Sequence, residues 1–425
     1  MNKSRSLISA VLTATLAAAG LSACSSGSDD GGVVTLNWWA RIGDGQKELA
    51  EAFNATHDDI KIKLTQLPDD QYVNKVGTGV RSSNGPDVLD FDVANAPLFA
   101  ANGVLADISS RVDSLPYKDS LNPGMAKVAA YDGKTYSVPF NAGPSFVLYN
   151  KTLFKKAGLD PNKPPKTWAD IKNAATKVRA LGKDIYGFDI PGACGGALSY
   201  TVQPFIWASG GTTMTEANSE QTTTYASSPQ VAKTFGLYRD MWKAGVVSPR
   251  AETTDCATWG QEWQAGKVGM IVAGAWMVAP AEKSGAEVGY FPIFGENGGE
   301  STFAGGNNAG ITTSSDNQDA AWTFVSWLLD KEQQLTMSKA NGQAPVRSDI
   351  NVEDTPLVAL QQQVGEKSNA PDSIAANALQ LSATSPWLSA FQQIVFQGKD
   401  TEKALKQADS ASKDLIEQAY QQVGR

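Results

Sequence analysis

Three cysteines carry the most distinctive chemistry in this chain. Cys24 follows Leu21-Ser22-Ala23, where small side chains suit a signal peptidase, and a basic start and an apolar run over residues 7–20 come before it. Such a leader is typical of bacterial lipoproteins, which are cut before the cysteine and lipidated on its sulfur. We therefore expect a signal peptide over residues 1–23 and a lipid anchor at Cys24 on the outer face of the cytoplasmic membrane. The alternative is an ordinary secretory leader, in which Cys24 has no special role.

Cys194 and Cys256 are the cysteines that remain once Cys24 is lipidated. Two thiols outside the cytoplasm are usually oxidised, so we predict a disulfide between them that braces one part of the fold. We expect this bridge to stabilise the protein without contacting a ligand. A pair of unrelated buried thiols is the alternative.

Several classes of site are excluded by the remaining residues. His57 is the only histidine and lies in a polar stretch typical of a surface turn. One histidine and two paired cysteines cannot form a His/Cys zinc site or a Ser-His-Asp triad, and no phosphate-binding glycine loop occurs. Acidic residues outnumber basic ones by 44 to 36, which disfavours nucleic acid as a partner. We predict no cofactor, no metal and no reaction, and a pair of catalytic carboxylates is left open.

The strands and helices that position a binding site are predicted from the periodicity of apolar residues. Apolar and polar residues alternate over residues 60–65, as in a half-buried strand, and apolar residues recur at helical spacing over 72–80. Further strands are predicted at 33–39 and 88–91, with a helix at 46–54 between them. This order predicts an α/β fold with helices on the faces of a sheet.

A series of short motifs resembles a known family. In chain order they are Gly85-Pro86-Asp87-Val88, Gly103-Val104-Leu105-Ala106-Asp107-Ile108, Asp132-Gly133-Lys134-Thr135-Tyr136-Ser137-Val138-Pro139, Leu148-Tyr149-Asn150-Lys151, Pro165-Lys166-Thr167-Trp168, Gly266-Lys267-Val268-Gly269-Met270, Gly274-Ala275-Trp276 and Gly342-Gln343-Ala344-Pro345-Val346-Arg347. Together they resemble extracellular solute-binding proteins of carbohydrate ABC importers, of the type of maltose-binding protein. The resemblance runs from about Val33 to the C-terminus.

The resemblance implies a two-lobed fold of the type II periplasmic-binding-protein class, with three hinge crossings and a ligand cleft between the lobes. We expect the crossings near Asn141, Gly305 and Ala344. The predicted parts are a flexible lipidated tether at 24–32, an N-terminal lobe at 33–141 plus 307–341, and a C-terminal lobe at 142–306 plus 342–425. A sugar or oligosaccharide would close the lobes, and the closed form would dock on permease subunits in the membrane.

The resemblance also implies a set of ligand-binding residues at strand ends and hinge crossings. They are Trp38, Trp39, Arg41, Asp44, Asp92, Asn95, Asn141, Trp259, Trp276, Gly305, Gly306, Asn307, Arg347 and Trp387. Binding a sugar needs aromatic faces against its C–H surface and polar groups against its hydroxyls. We expect Trp276 to stack on a sugar ring and Asp92 to accept a hydroxyl hydrogen bond, one from each lobe.

Structural roles are open alternatives for several of these residues. Trp276 could be a core residue, and Asn95 could be a helix cap. Arg347 could form a structural ion pair instead of holding a ligand. Trp38 and Trp39 are adjacent in a predicted strand, so both can line a cleft only if the strand has already ended.

Two other functions stay open. A glycerophosphodiester or polyamine could replace the sugar, although a phosphate needs several cations in the cleft and only Arg41 and Arg347 are candidates. A secreted glycoside hydrolase would need two carboxylates at a fixed separation on one cleft.

Overall fold

The computed structural model describes residues 32–43, 45–82, 84–215, 221–352 and 355–424. Its strands are β1 (Val34–Arg41), β2 (Ile60–Leu67), β3 (Val88–Asp92), β4 (Ala130–Tyr131), β5 (Lys134–Thr135), β6 (Val138–Ala142), β7 (Phe146–Asn150), β8 (Tyr186–Phe188), β9 (Val268–Ala273), β10 (Val288–Phe291), β11 (Ile293–Phe294), β12 (Glu300–Phe303), β13 (Gly306–Ile311) and β14 (Ser368–Asn369). Its α-helices are α1 (Gln46–Thr56), α2 (Asp69–Gly79), α3 (Ala96–Ala101), α4 (Ser109–Asp113), α5 (Pro123–Ala129), α6 (Lys151–Lys156), α7 (Trp168–Arg179), α8 (Gly195–Ala208), α9 (Pro229–Lys243), α10 (Gln261–Gln264), α11 (Val278–Lys283), α12 (Gln318–Leu328), α13 (Lys331–Asn341), α14 (Pro356–Gly365), α15 (Pro386–Val395) and α16 (Thr401–Gln422).

The first lobe is built on a five-stranded sheet in the order β2-β1-β3-β13-β6. β1 pairs in parallel with β2 and β3, whereas β13 runs antiparallel to β3 and β6. Side chains alternate between the faces of a strand, and β1 continues past both of its tryptophans. Trp38 therefore packs in one apolar layer, edge-on to Phe324, and Trp39 packs in the layer on the other face.

The second lobe is built on a four-stranded sheet in the order β10-β7-β9-β8. Successive residues of β9 alternate between two cores: Met270 and Val272 belong to one, and Ile271 and Ala273 belong to the other. Helices cover both faces of this sheet, which accounts for its near-continuous apolar strands. The α/β fold with two lobes, predicted from the sequence, is confirmed.

Two chain crossings between the sheets lie side by side. The chain leaves the first sheet after β6 and enters the second at β7, and it returns between β12 and β13. The backbone N–H of Gly143 in the first crossing donates to the carbonyl of Gly305 in the second, at 2.8 Å. Glycine is required at Gly306, because its φ is +119° and a Cβ there would lie 1.9 Å from the carbonyl oxygen of Asn141.

The third crossing is the stretch from Gly342, which ends α13 with a φ of +70°, to the start of α14. Within this stretch Val346 still lies in the core of the first lobe, and its carbonyl accepts a hydrogen bond from the backbone N–H of Asn122 at 2.8 Å. The chain then reaches α14, whose Leu360 and Val364 pack in a core of the second lobe. The first part of the third crossing thus packs on the first lobe, and the chain enters the second lobe later than the predicted position near Ala344.

The predicted disulfide between Cys194 and Cys256 is present, with a Cα–Cα distance of 4.9 Å. It closes a loop with a sequence separation of 62. Closing a loop of this length stabilises a fold by about 4 kcal/mol in the chain-entropy estimate, less any strain. Among the described residues, no helix has the length and apolarity needed to cross a bilayer. Cys24 and its leader lie outside the described residues.

Candidate functional site

A polar cluster of Arg41, Asp92 and Asn307 lies at one edge of the first sheet. β1 and β3 are parallel and end at Arg41 and Asp92, and the antiparallel β13 begins beside them. Arg41 Nη1 donates to Asp92 Oδ2 at 2.9 Å and to Asn307 Oδ1 at 2.8 Å. Asp92 Oδ1 accepts from the backbone N–H of Ala94 at 2.9 Å, which starts a short helical turn. Both charged side chains are partly exposed, so they can exchange partners with a ligand.

Amide side chains from all three crossings meet next to this cluster. Asn307 lies opposite Asn141 in the β13–β6 register. Asn341 Nδ2, at the third crossing, donates to Asn141 Oδ1 at 3.3 Å. Gln343 is buried, and its Oε1 has no hydrogen-bond partner. Amides both donate and accept, so this arrangement offers the two hydrogen-bonding modes that a hydroxyl needs.

An aromatic cluster of Tyr200, Trp259, Trp276 and Phe303 belongs to the second lobe. The Tyr200 ring is the hub, with centroid distances of 5.6 Å to Trp276, 6.2 Å to Trp259 and 5.5 Å to Phe303. Trp276 and Trp259 are half-buried, whereas Tyr200 and Phe303 are buried. The partly exposed indoles can thus present apolar faces while the buried rings support them.

The aromatic cluster lies against the hinge. Tyr200 Oη donates to the carbonyl oxygen of Gly143 at 2.9 Å. A Cβ on Gly143 would lie 3.0 Å from Trp276 Cζ3, so the absence of a side chain there lets the indole approach the crossing. Burial raises the pKa of the Tyr200 hydroxyl well above its usual value, and the negative charge of Asp92 adds to that rise. The two clusters meet at the second crossing: a Cβ on Gly305 would lie 2.6 Å from the Tyr200 ring, and Asn307 of the polar cluster is two residues further along the chain.

Residues 48–360 match the family model described as bacterial extracellular solute-binding protein. This match covers well over half of the chain. The chain belongs to that family. The family predicted from the short motifs is therefore confirmed.

Relatives of this solute-binding protein have been named for different ligands. The sn-glycerol-3-phosphate-binding periplasmic protein of Brucella melitensis is 26% identical over 355 residues, covering 79% of this chain and 80% of the relative. The diacetylchitobiose-binding protein of Streptomyces coelicolor is 26% identical over 426 residues, covering 92% and 93%. The solved structure of the cyclic α-maltosyl-1,6-maltose-binding protein of Arthrobacter globiformis has a TM-score of 0.76 at 26% identity, covering 91% of this chain and 99% of that one.

Many of the predicted site residues of this solute-binding protein come together at the hinge. They are Arg41, Asp92, Asn141, Trp259, Trp276, Gly305, Gly306 and Asn307. Asn95 is buried just after the Asp92 turn, and its Oδ1 has no hydrogen-bond partner. Contact of any of these residues with a ligand stays a prediction. Asp44 lies outside the described residues.

Three of the predicted site residues lie away from the hinge clusters. Trp38 and Trp387 are fully buried, because each supplies a large ring to the core of its lobe. Arg347 is held elsewhere: its guanidinium pairs with Asp349 and its Cζ lies 3.5 Å from the ring centroid of Tyr117. Arg347 thus forms the ion pair that the structural alternative predicts, and Asp92 pairs with Arg41.

Trp39 does not join the site cluster either. Its ring edge lies 2.3 Å from the position that a Cβ on Gly79 would occupy, so it packs against the end of α2. β1 continues past Trp39 to Arg41, so the Trp39 side chain packs on the face of the sheet opposite to Trp38.

Tyr200 and Gln343 are site residues that the sequence patterns missed. Tyr200 lies in α8, whose residues are nearly all buried, so its position resembles an ordinary core tyrosine. Gln343 lies within the Gly342–Arg347 motif that carried the family resemblance, but only the folded chain brings it beside Gly143. Its place in that motif was the one signal in the sequence that pointed to Gln343.

Asp189 is a half-buried acid beside the aromatic cluster. It directly follows β8, and its Oδ2 is buried without a hydrogen-bond partner. Burial raises the pKa of this carboxyl to about 7, and the Glu262 carboxylate adds to the rise. The indole N–H of Trp259 points towards the carboxyl and lowers its pKa slightly, although the two groups do not form a hydrogen bond of normal geometry.

The raised pKa of Asp189 predicts a pH dependence of stability. Between pH 3.8 and about 7 the folded state keeps a proton that the unfolded state has released. The free energy of unfolding should therefore fall as the pH rises through this window. The Asp189→Asn variant lacks this titration, so its stability relative to wild type should increase with pH. Urea denaturation at pH 4.5 and 7.5 measures the difference, and parallel pH profiles of the two proteins would contradict the prediction.

Proposed function

We propose that this chain captures a neutral carbohydrate between its lobes and delivers it to the permease of an ABC importer. The observation that carries the proposal is the meeting of two unlike clusters at the second crossing: Arg41, Asp92 and Asn307 on one lobe, Tyr200 and Trp276 on the other. A sugar ring presents hydroxyls at its rim and C–H groups on its faces. Such a ligand satisfies the polar cluster and covers the indole face at the same time.

The proposed lobes are residues 33–141 plus 307–341 and 142–306 plus 342–425, except that the chain around Val346 packs with the first lobe. The three crossings form the proposed hinge. A ligand that contacts both lobes binds the closed form more tightly than the open form, so it shifts the equilibrium towards closure. The closed form would then dock on the permease. The Streptomyces relative is named for diacetylchitobiose and the Arthrobacter one for cyclic α-maltosyl-1,6-maltose, and both names support a sugar as the ligand.

A phosphate ester is the second candidate, favoured by the Brucella relative named for sn-glycerol 3-phosphate. The electrostatics of the polar cluster favour a neutral ligand instead. Arg41 is the cation at this site, and the Asp92 carboxylate 2.9 Å away neutralises it. A phosphate group there would face the carboxylate without an excess of positive charge.

Calorimetry with a small panel of ligands tests the proposal. The panel is maltose, maltotetraose, diacetylchitobiose, sn-glycerol 3-phosphate and spermidine. We expect at least one saccharide to bind and the phosphate ester and the polyamine not to bind. Binding of sn-glycerol 3-phosphate alone would overturn the sugar proposal, and release of shorter sugars from maltotetraose would favour a hydrolase.

We further propose that Cys24 anchors the protein to the membrane. The Cys24→Ser variant should appear in the soluble fraction or medium of a bacterial host that has the lipoprotein pathway, because serine cannot form the thioether to the lipid. Membrane fractionation measures the distribution, with Ser28→Ala in the tether as the control that should stay on the membrane. A Cys24→Ser protein that remains in the membrane fraction would contradict the anchor.

A further inference from the structure

The disulfide joins the two segments that carry Tyr200 and Trp259. Cys194 directly precedes α8, the helix that holds Tyr200, and caps it: its Sγ accepts a hydrogen bond from the backbone N–H of Ala197. Cys256 lies three residues before Trp259 in the chain. The bridge therefore ties the start of one site-bearing segment directly to the other.

Trp259 belongs to a tight turn that contains Cys256. Asp255 Oδ1 accepts from the backbone N–H of Thr258 at 2.9 Å and from its hydroxyl at 2.6 Å. The backbone N–H of Trp259 donates to the carbonyl oxygen of Asp255 at 3.0 Å. Because these bonds close the turn on itself, residues 255–259 move together and Cys256 fixes their place.

Besides the disulfide, the described residues hold this turn through the chain on either side of it. Before it, two backbone hydrogen bonds of 2.9 Å attach the chain, from Gly192 to Ala251 and from Ala193 to Thr254. After it, α10 follows, whose Trp263 is buried in a core of the lobe. The turn itself is exposed over most of its length, with only Trp259 half-buried. Its indole lies against the Tyr200 ring and faces Asp189.

We propose that the Cys194–Cys256 disulfide is a positioning device for the ligand site, which holds Trp259 against Tyr200 so that its indole can meet the ligand. Without the bridge the turn moves as a unit, and the Trp259 ring loses its fixed place while the two cores of the lobe stay intact. The part of this proposal that concerns affinity rests on the proposed sugar function; the part that concerns the ring does not.

Fluorine NMR of the ligand-free protein tests the position of the ring. Each 5-fluorotryptophan gives its own resonance, and the Trp259→Phe variant identifies that of Trp259. In the Cys194→Ser/Cys256→Ser protein we expect the Trp259 resonance to shift or broaden, and that of the core residue Trp387 to stay unchanged. The serine at 194 keeps an acceptor for the Ala197 N–H, so the start of α8 is preserved. An unchanged Trp259 resonance would overturn the proposal.

A matched control separates positioning from general loss of stability. Asp409 accepts hydrogen bonds from the backbone N–H groups of Tyr225 and Ala226 in the same lobe, away from the turn. Asp409→Ala should lower stability without moving the Trp259 resonance. If the double serine variant fails to fold, a water-soluble phosphine is applied to the folded wild type; it takes up the oxygen of one water molecule to become the phosphine oxide, and the two sulfurs of the bridge take up the two hydrogens as thiols. The same spectral change is then expected.

Sugar affinity tests the consequence for the site. With whichever of maltose, maltotetraose and diacetylchitobiose binds the wild type, removing the bridge should weaken binding by roughly five- to twentyfold, the size of a coupling between contacting groups. In a Trp259→Ala background the same removal should change affinity little. Equal losses in both backgrounds would overturn the positioning role. Absence of binding to every sugar would contradict the proposed function, and the NMR result would still decide the position of the ring.

Discussion

The Trp276→Ala variant is expected to lose sugar affinity by roughly thirty- to thousandfold, or about 2–4 kcal/mol, the range for truncating an aromatic residue at the centre of a binding site. The indole packs on the Tyr200 ring and against the hinge at Gly143, so it presents a face that is already held in place. Removing it leaves the C–H surface of the sugar against water. Calorimetry with the saccharide panel measures the loss.

Two variants make this result specific. Trp276→Phe keeps a smaller apolar face and should recover part of the affinity. Trp242 is also half-buried in the second lobe, but it packs edge-on to Phe396 away from the hinge. Trp242→Ala should lower stability and leave affinity unchanged. Wild-type affinity in Trp276→Ala would mean that the cleft lies elsewhere.

The Asp92→Ala variant is expected to weaken sugar binding by about 1.5–3 kcal/mol, the contribution of a hydrogen bond to a charged group. The variant removes the acceptor Oδ2 and, with it, the negative charge that lies 2.9 Å from Arg41 in the polar cluster. It should also let the site accept an anion, so weak binding of sn-glycerol 3-phosphate is expected to appear. Calorimetry with both ligands measures the exchange of specificity.

Asp92→Asn separates charge from local structure. The amide oxygen can still accept from the Ala94 N–H, so the turn after β3 is kept while the charge is lost. We expect an intermediate affinity. Asp319→Ala removes another acid of the first lobe, one that pairs with Arg111 at the surface, and should have no effect. Equal affinity of Asp92→Ala and wild type for the sugar would contradict the role of the polar cluster.

The alternation of strands and helices was predictable because each sheet is covered on both faces. Burial on both sides demands continuous apolar strands such as β9, and exposed helix faces demand the 3.6-residue spacing seen in α1 and α2. The hinge near Asn141 and Gly305 was predictable too. Glycines are easily recognised in a sequence, and here Gly143 and Gly305 let the two crossings approach within hydrogen-bond distance.

Individual tryptophans were not predictable. A residue that suits a sugar face also suits a core, and the two uses differ only in what packs around the ring. Trp38 fills the first lobe because β1 runs on to Arg41, and Trp387 fills the second because α15 buries it against Phe235. Trp276 is placed differently: it lies in the short helical turn just after the end of β9, next to the hinge.

By itself, the sequence determined the family, the α/β class and the pairing of Cys194 with Cys256, because each of these depends on local patterns or on residue counts. The tertiary structure alone decided which side chains meet. Arg41 and Asn307 are 266 residues apart, yet they share a hydrogen bond because strands from distant parts of the chain end at one sheet edge. Tyr200 became the hub of the aromatic cluster for the same reason: a helix with no polar pattern delivers its ring to the hinge.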